Sequence, residues 1–134
     1  MEQMHEIKNF YNNNLNSKIR FVFTNNLLKE NHCHERYNNI CLEIFNDCKN
    51  EIVLNSSILE NYIRTNYSNY SIISSTTKCL IKPELAKEEL NQDYKFVCLD
   101  YNLNHNWSFL DNLNPEEKAK TEFLINPICG PACP

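Results

Sequence analysis

Two cysteines near the end of the chain have the spacing that most specifically suggests chemistry. The segment Cys129-Gly-Pro-Ala-Cys133 places two thiols four residues apart in a turn-forming sequence. Thiolates bind zinc and iron–sulfur clusters, so this pair could hold a metal together with ligands from elsewhere in the chain. We therefore predict a zinc or iron–sulfur site at Cys129 and Cys133. Two structural thiols in a tight turn are the alternative, and a redox disulfide is a weaker one, since that motif usually has two intervening residues.

Three ionisable side chains are candidates for catalysis. Asp100 directly follows the apolar run Phe96–Leu99, so a rigid strand would position it as a general acid or base or as a metal ligand. Lys78 could neutralise an anion or form a Schiff base, and His105 could shuttle protons. The structural alternatives are a carboxylate that caps the next turn and a solvated loop lysine.

Five short apolar runs, each ended by polar residues, predict the strands that must position these groups. Such runs are typical of parallel strands that are buried on both faces. The predicted strands are residues 18–24, 51–55, 70–75, 94–100 and 121–126. Helical patterns lie before and between these strands. They cover residues 2–11, residues 33–48, a segment that begins at Ser57, a segment from Pro83 to about Asn91, the segment Trp107–Leu113 and a segment that begins at Asn114.

Several local signals define the predicted helices more closely. A single apolar stripe marks the helix at 33–48, and it consists of Tyr37, Ile40, Cys41, Ile44, Phe45 and Cys48. Ser57–Glu60 and Asn114–Glu117 have the spacing of capping boxes. Pro83 suits the first turn of a helix.

Strictly alternating helices and strands predict an α/β fold of repeated βα units with an all-parallel sheet of about five strands. Because a complete barrel needs eight strands, we expect a partial TIM-type barrel; a small open doubly wound sheet is the alternative. We expect residues 1–134 to form a single α/β domain that is a fragment of a larger barrel. A second copy or a partner chain could complete such a barrel.

Polar side chains cluster after the predicted strands, where ligands bind in both architectures. They could hydrogen-bond a small polar molecule or a peptide. The predicted substrate-binding residues are Asn25, Asn55, Thr76, Asn102 and Asn126. The alternative is that these residues simply form turns and helix caps.

Composition excludes several function classes. The net charge of −4 and the pI near 5.5 argue against nucleic-acid binding. The single glycine leaves no glycine-rich phosphate loop. The chain shows neither a signal peptide nor an apolar stretch long enough to span a membrane, so we expect a soluble cytoplasmic protein. The cysteines within apolar patterns are then reduced, buried hydrophobic residues, namely Cys33, Cys41, Cys48, Cys79 and Cys98.

Five stretches resemble a known group of proteins, and they are residues 23–28, 53–64, 73–78, 99–104 and 125–134. They look like the later strands of a little-characterised group of bacterial TIM-barrel proteins that is distantly similar to the peptidase U32 (collagenase-like) superfamily. The resemblance covers about residues 19–134. It implies a TIM-type barrel, a hydrolase or peptidase activity and Cys ligands to an iron–sulfur cluster, for which Cys129 and Cys133 are the matching residues.

Two functions therefore follow from the sequence. The first is an enzyme that acts on a small polar or peptidic substrate at the carboxyl ends of the strands, with Asp100 as the acid or base. The second is a non-catalytic, truncated α/β module that binds a ligand or a partner.

Overall fold

Five parallel strands alternate with helices along the chain, which confirms the predicted fold class. The computed structural model describes residues 2–11, 13, 18–47 and 49–125. Its strands are β1 (Arg20–Phe23), β2 (Glu51–Leu54), β3 (Ser71–Ser74), β4 (Phe96–Cys98) and β5 (Thr121–Glu122). Neighbours in the sheet follow chain order, β1-β2-β3-β4-β5.

Six α-helices lie between and before these strands in the described residues. They are α1 (Glu2–Phe10), α2 (Arg36–Ile44), α3 (Ser57–Asn66), α4 (Pro83–Leu90), α5 (Trp107–Asp111) and α6 (Pro115–Lys120). Short 3₁₀ turns cover Glu30–His34, Thr76–Lys78 and Tyr101–Leu103. None of the helices in the described ranges has the length and apolarity needed to cross a membrane.

The chain divides into two compact units, Met1–Ser71 and Ile72–Pro134. In the first unit, β1 pairs with β2 so that Phe21 lies opposite Ile52. The Phe21 ring packs on the rings of Phe45 and Tyr70, with centroids 5.5 and 6.2 Å away. Burial of Ile52 and its neighbours removes apolar surface from water, which is the main term that stabilises this unit.

Strand β1 differs from the prediction of a strand buried on both faces. Its residues alternate between exposed and half-buried, and the Val22 side chain is 62% exposed. The Phe21 ring contacts Phe45 and Tyr70. Because successive side chains of a strand point to opposite faces, Val22 points away from this cluster.

The predicted helix at 33–48 is shorter and turned relative to its expected stripe. The backbone at Glu35 is extended, so a 3₁₀ turn ends there and α2 begins at Arg36. Leu42 and Phe45 are buried, whereas Tyr37 is 79% exposed. A helix of nine residues has few apolar positions. The apolar stripe in the sequence therefore did not determine how α2 is rotated about its own axis relative to the core.

The second unit is organised around β4, which pairs with both β3 and β5. Ile73 lies opposite Phe96, and Val97 lies opposite Thr121. The least exposed of its apolar core side chains, each at most 1% exposed, are Ile73, Ala86, Leu90, Val97 and Leu99.

Helix caps confirm two of the three predicted starts. Pro83 occupies the first turn of α4, and Asn114 begins α6 with the predicted capping box. The third prediction was displaced by one residue, because Ser56 rather than Ser57 caps α3 and accepts a hydrogen bond from the Leu59 backbone N–H. Either serine has a side chain that can cap a helix. Because β2 ends at Leu54, the helix begins early enough for Ser56 to be the cap.

The cysteines only partly follow the prediction of burial. Cys33 is buried, and burial raises the pKa of its thiol, with a further contribution from Glu30. Cys79 is exposed, because it follows the 3₁₀ turn Thr76–Lys78 with a left-handed backbone, φ 53°. Cys41 and Cys98 are half-buried, and Cys48 lies outside the described residues.

Glu117 makes the capping box of α6 dependent on pH. The Asn114 backbone N–H donates to Glu117 Oε2 at 2.8 Å, and this bond lowers the pKa of the Glu117 carboxyl against the opposing effect of burial. Asn91 and Lys87 lower it further. The ionised carboxylate therefore stabilises the fold above the ordinary pKa of glutamate, about 4.3, and this stabilisation is lost as the pH falls through the lower folded pKa.

We expect Glu117→Gln to flatten the loss of stability on the acid side. Urea unfolding measured at a series of pH values checks this, with the exposed neighbour Glu116→Gln as the matched control. The control should keep the wild-type dependence on pH. If the free energy of unfolding depends on pH equally in the two variants, Glu117 is not the source of the acid-side loss of stability.

Candidate functional site

The loops that follow β3 and β4 lie side by side in the second unit. Because the two strands pair in parallel, their carboxyl ends meet at the same edge of the sheet. Thr76 Oγ1 donates to the Leu99 carbonyl oxygen at 3.0 Å. The structure thus brings the predicted binding residue Thr76 next to Asp100, which follows Leu99 in the chain.

Asp100 is buried, with 6% of its surface exposed, and it caps the turn Tyr101–Leu103. Its Oδ1 accepts from the Asn102 backbone N–H at 3.0 Å and from the Asn102 side-chain amide at 2.6 Å. This is the capping alternative considered from the sequence. Oδ2 accepts no hydrogen bond from the described residues, so one oxygen of the carboxylate is left for another partner.

Two more oxygens of this segment, Tyr101 OH and Asn104 Oδ1, are buried and have no hydrogen-bond partner among the described residues. The same holds for Asn46 Oδ1 in the first unit. The Asn104 amide nitrogen donates to the Leu124 carbonyl oxygen at 2.9 Å, which fixes the orientation of the amide, because an oxygen in that position would be repelled. A buried polar atom without a partner costs about 1–3 kcal/mol, so such atoms are uncommon in folded proteins.

Tyr101 and Asn104 lie on the same side of the turn. Residues three apart on a 3₁₀ turn are eclipsed, and the Asn104 backbone N–H donates to the Tyr101 carbonyl oxygen at 3.1 Å. The sequence did not single out either residue. The available signal was their position in the polar run Asp100–Asn104 directly after a strand.

Lys78 is bound within a polar network. Its Nζ donates to Glu89 Oε1 at 2.6 Å and to Tyr94 OH at 2.9 Å, and it lies 4.7 Å from the centre of the Tyr94 ring. The Ser74 hydroxyl, which is fully buried, also donates to Glu89 Oε1, at 2.6 Å. The network links the turn after β3 to α4, and the catalytic role of Lys78 stays a prediction.

His105 lies on the surface beside Trp107. The two rings are 6.3 Å apart at an angle of 63°, and His105 is exposed. It follows the turn Tyr101–Leu103 by two residues, so it is near the polar segment in sequence; its role as a proton shuttle also stays a prediction.

The remaining predicted site residues belong to other parts of the chain. In the first unit, Asn25 Oδ1 accepts from the Leu27 backbone N–H at 2.9 Å, and the Asn55 side-chain amide donates to the Thr24 carbonyl oxygen at 3.4 Å. Asn25 therefore holds a local turn, whereas Asn55 links the segment after β2 to the segment after β1, and the binding role of both stays a prediction. Asn126, Cys129 and Cys133 lie outside the described residues.

Metal ligands do not converge within the described part of the chain. No group of three or more His, Cys, Asp or Glu side chains there is placed to hold a metal ion. The predicted zinc or iron–sulfur site thus depends on Cys129 and Cys133.

Comparison with known proteins leaves the family open, since no protein-family model, no curated protein and no solved structure matches the chain. Function is therefore inferred from the site itself.

The Lys78–Glu89 pair gives a test of what Lys78 does. Both side chains are largely buried, 16% and 17% exposed, so Lys78→Met leaves a carboxylate without its cation. We expect a loss of about 1–3 kcal/mol in the free energy of unfolding. Urea unfolding of Lys78→Met, Glu89→Met and the double variant measures it, and the double variant should lose less than the sum of the two.

Lys82→Met is the control, because Lys82 is exposed at the start of α4. This substitution should change the free energy of unfolding by no more than about 0.5 kcal/mol. Strictly additive losses at Lys78 and Glu89 would contradict a structural ion pair.

Proposed function

We propose that the protein binds a small polar or peptide-like molecule at the turn after β4. The observation that carries this proposal is the Asp100 carboxylate, whose Oδ1 is held by the turn and whose Oδ2 accepts no hydrogen bond from the described residues. The segment begins at the carboxyl end of a parallel strand, which is where α/β proteins bind their ligands.

The chemistry of the Asp100 carboxylate favours a ligand that supplies N–H or O–H donors, because a carboxylate oxygen only accepts hydrogen bonds. An anion fits less well, because the nearby cation Lys78 is already paired with Glu89. Amides, amines and polyols are therefore the ligand classes that the site supports.

Hydrolysis of a bound peptide is a second proposed function, and it rests on the resemblance to peptidase U32. Asp100 would act as the general acid or base and His105 as the shuttle. The capping bonds of Asp100 support binding more directly than they support catalysis, because they hold the carboxylate in place in the absence of a substrate. Release of amine from short peptides measures this activity. Purified protein that binds the peptide but releases no amine would reject the hydrolysis proposal.

A cytoplasmic location is also proposed. The described cysteines Cys33, Cys41 and Cys79 are free thiols, which suits a reducing compartment. Fractionation of cells that express the chain checks the location, and recovery of the chain outside the cytoplasm would contradict it.

Asp100→Asn tests the proposed binding site with little change to the fold. The new amide oxygen can still accept from the Asn102 backbone N–H, so the cap remains, but the charge is lost and Oδ2 becomes a donor. We expect the amide signals of Asn102–Asn104 to shift when ¹⁵N-labelled wild-type protein is titrated with N-acetylglycinamide. The variant should bind at least about tenfold more weakly, since a hydrogen bond to a charged group is worth about 1.5–3 kcal/mol and 1.4 kcal/mol is tenfold.

The control is Glu88→Gln, which removes the same charge from an exposed position on α4. Its affinity should equal that of the wild type. Shifts confined to other segments, or none at saturating ligand, would exclude the turn after β4 as the site.

Removal of the thiols tests the proposed metal site separately. If Cys129 and Cys133 hold zinc or an iron–sulfur cluster, protein purified without oxygen contains bound metal, and Cys129→Ser/Cys133→Ser loses it. Metal analysis and the visible absorption spectrum measure this. Cys79→Ser, at an exposed thiol, is the matched control. Equal metal content in all three proteins would contradict a site at this pair.

A further inference from the structure

Asp100 is too deeply buried to receive a ligand while the turn after it stays in place. Only 6% of the residue is exposed, and Oδ1 is covered by the backbone N–H and the side-chain amide of Asn102, at 3.0 and 2.6 Å. A ligand donor must come within about 3 Å of a carboxylate oxygen to form a hydrogen bond. A molecule the size of a peptide unit cannot approach so small a surface that closely unless part of the turn moves.

The segment Tyr101–Asn104, which we call the Asp100 lid, is held in place by local bonds. The Leu103 backbone N–H donates to the Asp100 carbonyl oxygen at 2.9 Å, and the Asn104 backbone N–H donates to the Tyr101 carbonyl oxygen at 3.1 Å. The Leu103 side chain, which is 2% exposed, anchors the lid in the core. Bonds between such near neighbours can break while the strands on either side stay paired, so the lid can open by itself.

Two buried oxygens of the lid favour its opening. Tyr101 OH and Asn104 Oδ1 are buried and have no hydrogen-bond partner among the described residues. Water hydrates both oxygens when the lid is open, which removes the cost of burying them unpaired. Because this cost applies only to the closed lid, it raises the population of the open lid.

The turn after β3 has the same backbone bonds but paired hydroxyls. The backbone N–H groups of Lys78 and Cys79 donate to the carbonyl oxygens of the residues three positions before them, at 3.1 and 2.9 Å. Thr76 Oγ1 donates to a carbonyl oxygen, and the hydroxyl oxygens of Ser75 and Thr77 are hydrogen-bonded to each other at 2.8 Å. This turn is therefore the internal reference for the lid.

We infer that the Asp100 lid is a gate, which opens locally, exposes the Asp100 carboxylate and admits the ligand. This inference rests on the proposed function and adds the step that regulates access to its site. Asn102 releases Oδ1 when the lid opens, so both carboxylate oxygens then accept hydrogen bonds from the ligand. The apparent dissociation constant is the intrinsic constant divided by the fraction of open protein, so a change that stabilises the closed lid weakens binding.

Tyr101→Phe tests the gate, because it removes one unpaired oxygen and keeps the ring. Amide hydrogen exchange of ¹⁵N-labelled protein, followed by NMR, measures the opening of the lid. In the wild type, the amides of Leu103 and Asn104 should exchange faster than those of β4. In Tyr101→Phe, they should exchange at least about fivefold more slowly, while the reference turn after β3 keeps its rates.

Binding of N-acetylglycinamide is measured on the same samples. Tyr101→Phe should bind it more weakly by the same factor by which the exchange of the lid slows. Tyr62→Phe is the matched control, because the Tyr62 hydroxyl is paired and donates to Asn39 Oδ1 at 2.9 Å in the first unit. Its loss should change neither the exchange of the lid nor the affinity.

The outcomes separate the gate from the proposed function. Lid amides that exchange no faster than those of β4, or that do not slow in Tyr101→Phe, overturn the gate. Slower exchange with unchanged affinity also overturns the gate, although the proposed function stands. If the wild type does not bind N-acetylglycinamide, the proposed function and the gate fail together.

Discussion

The parallel pairing of β3 with β4 is the constraint on which the rest of the second unit depends. It aligns Ile73 with Phe96 and Ser74 with Val97, so the two strands end together. Burial of Ile73, Val97 and Leu99 holds the pair in this register, because a slip of one residue would turn these side chains to the opposite face. The loops that follow the strands are then adjacent, and Thr76 fastens one to the other through the Leu99 carbonyl oxygen.

Polar groups near this edge fall into two classes. Ser74, Glu89, Lys78 and Tyr94 satisfy one another and join the loop after β3 to α4. The side-chain oxygens of Tyr101 and Asn104 have no partner among the described residues, and neither does Asn46 Oδ1 in the first unit. Buried polar groups are normally paired, so these oxygens lower the stability of the turn after β4.

The elements could be predicted from the sequence, and the pairing of side chains could not. The apolar runs and their polar ends located all five strands, and Pro83 and Asn114 located two helix starts, because these signals are local. The rotation of α2 depends on tertiary packing, so the predicted stripe correctly included Phe45 but wrongly included the exposed Tyr37 and left out the buried Leu42.

Site residues show the same division. Asp100 was predicted as a site residue because it ends an apolar run, and its role stays a prediction. The ion-pair partner of Lys78 lies eleven positions away on α4 and has no signature in the sequence. An oxygen without a partner is the least predictable feature of all. Whether Tyr101 and Asn104 are satisfied depends on every atom within reach, and no pattern of residue types records that.

A high-resolution crystal structure of the protein with N-acetylglycinamide tests the central claim most directly. The account predicts a ligand N–H within about 3 Å of Asp100 Oδ2. A structure in which a protein group donates to Asp100 Oδ2, with the ligand bound elsewhere, would contradict it.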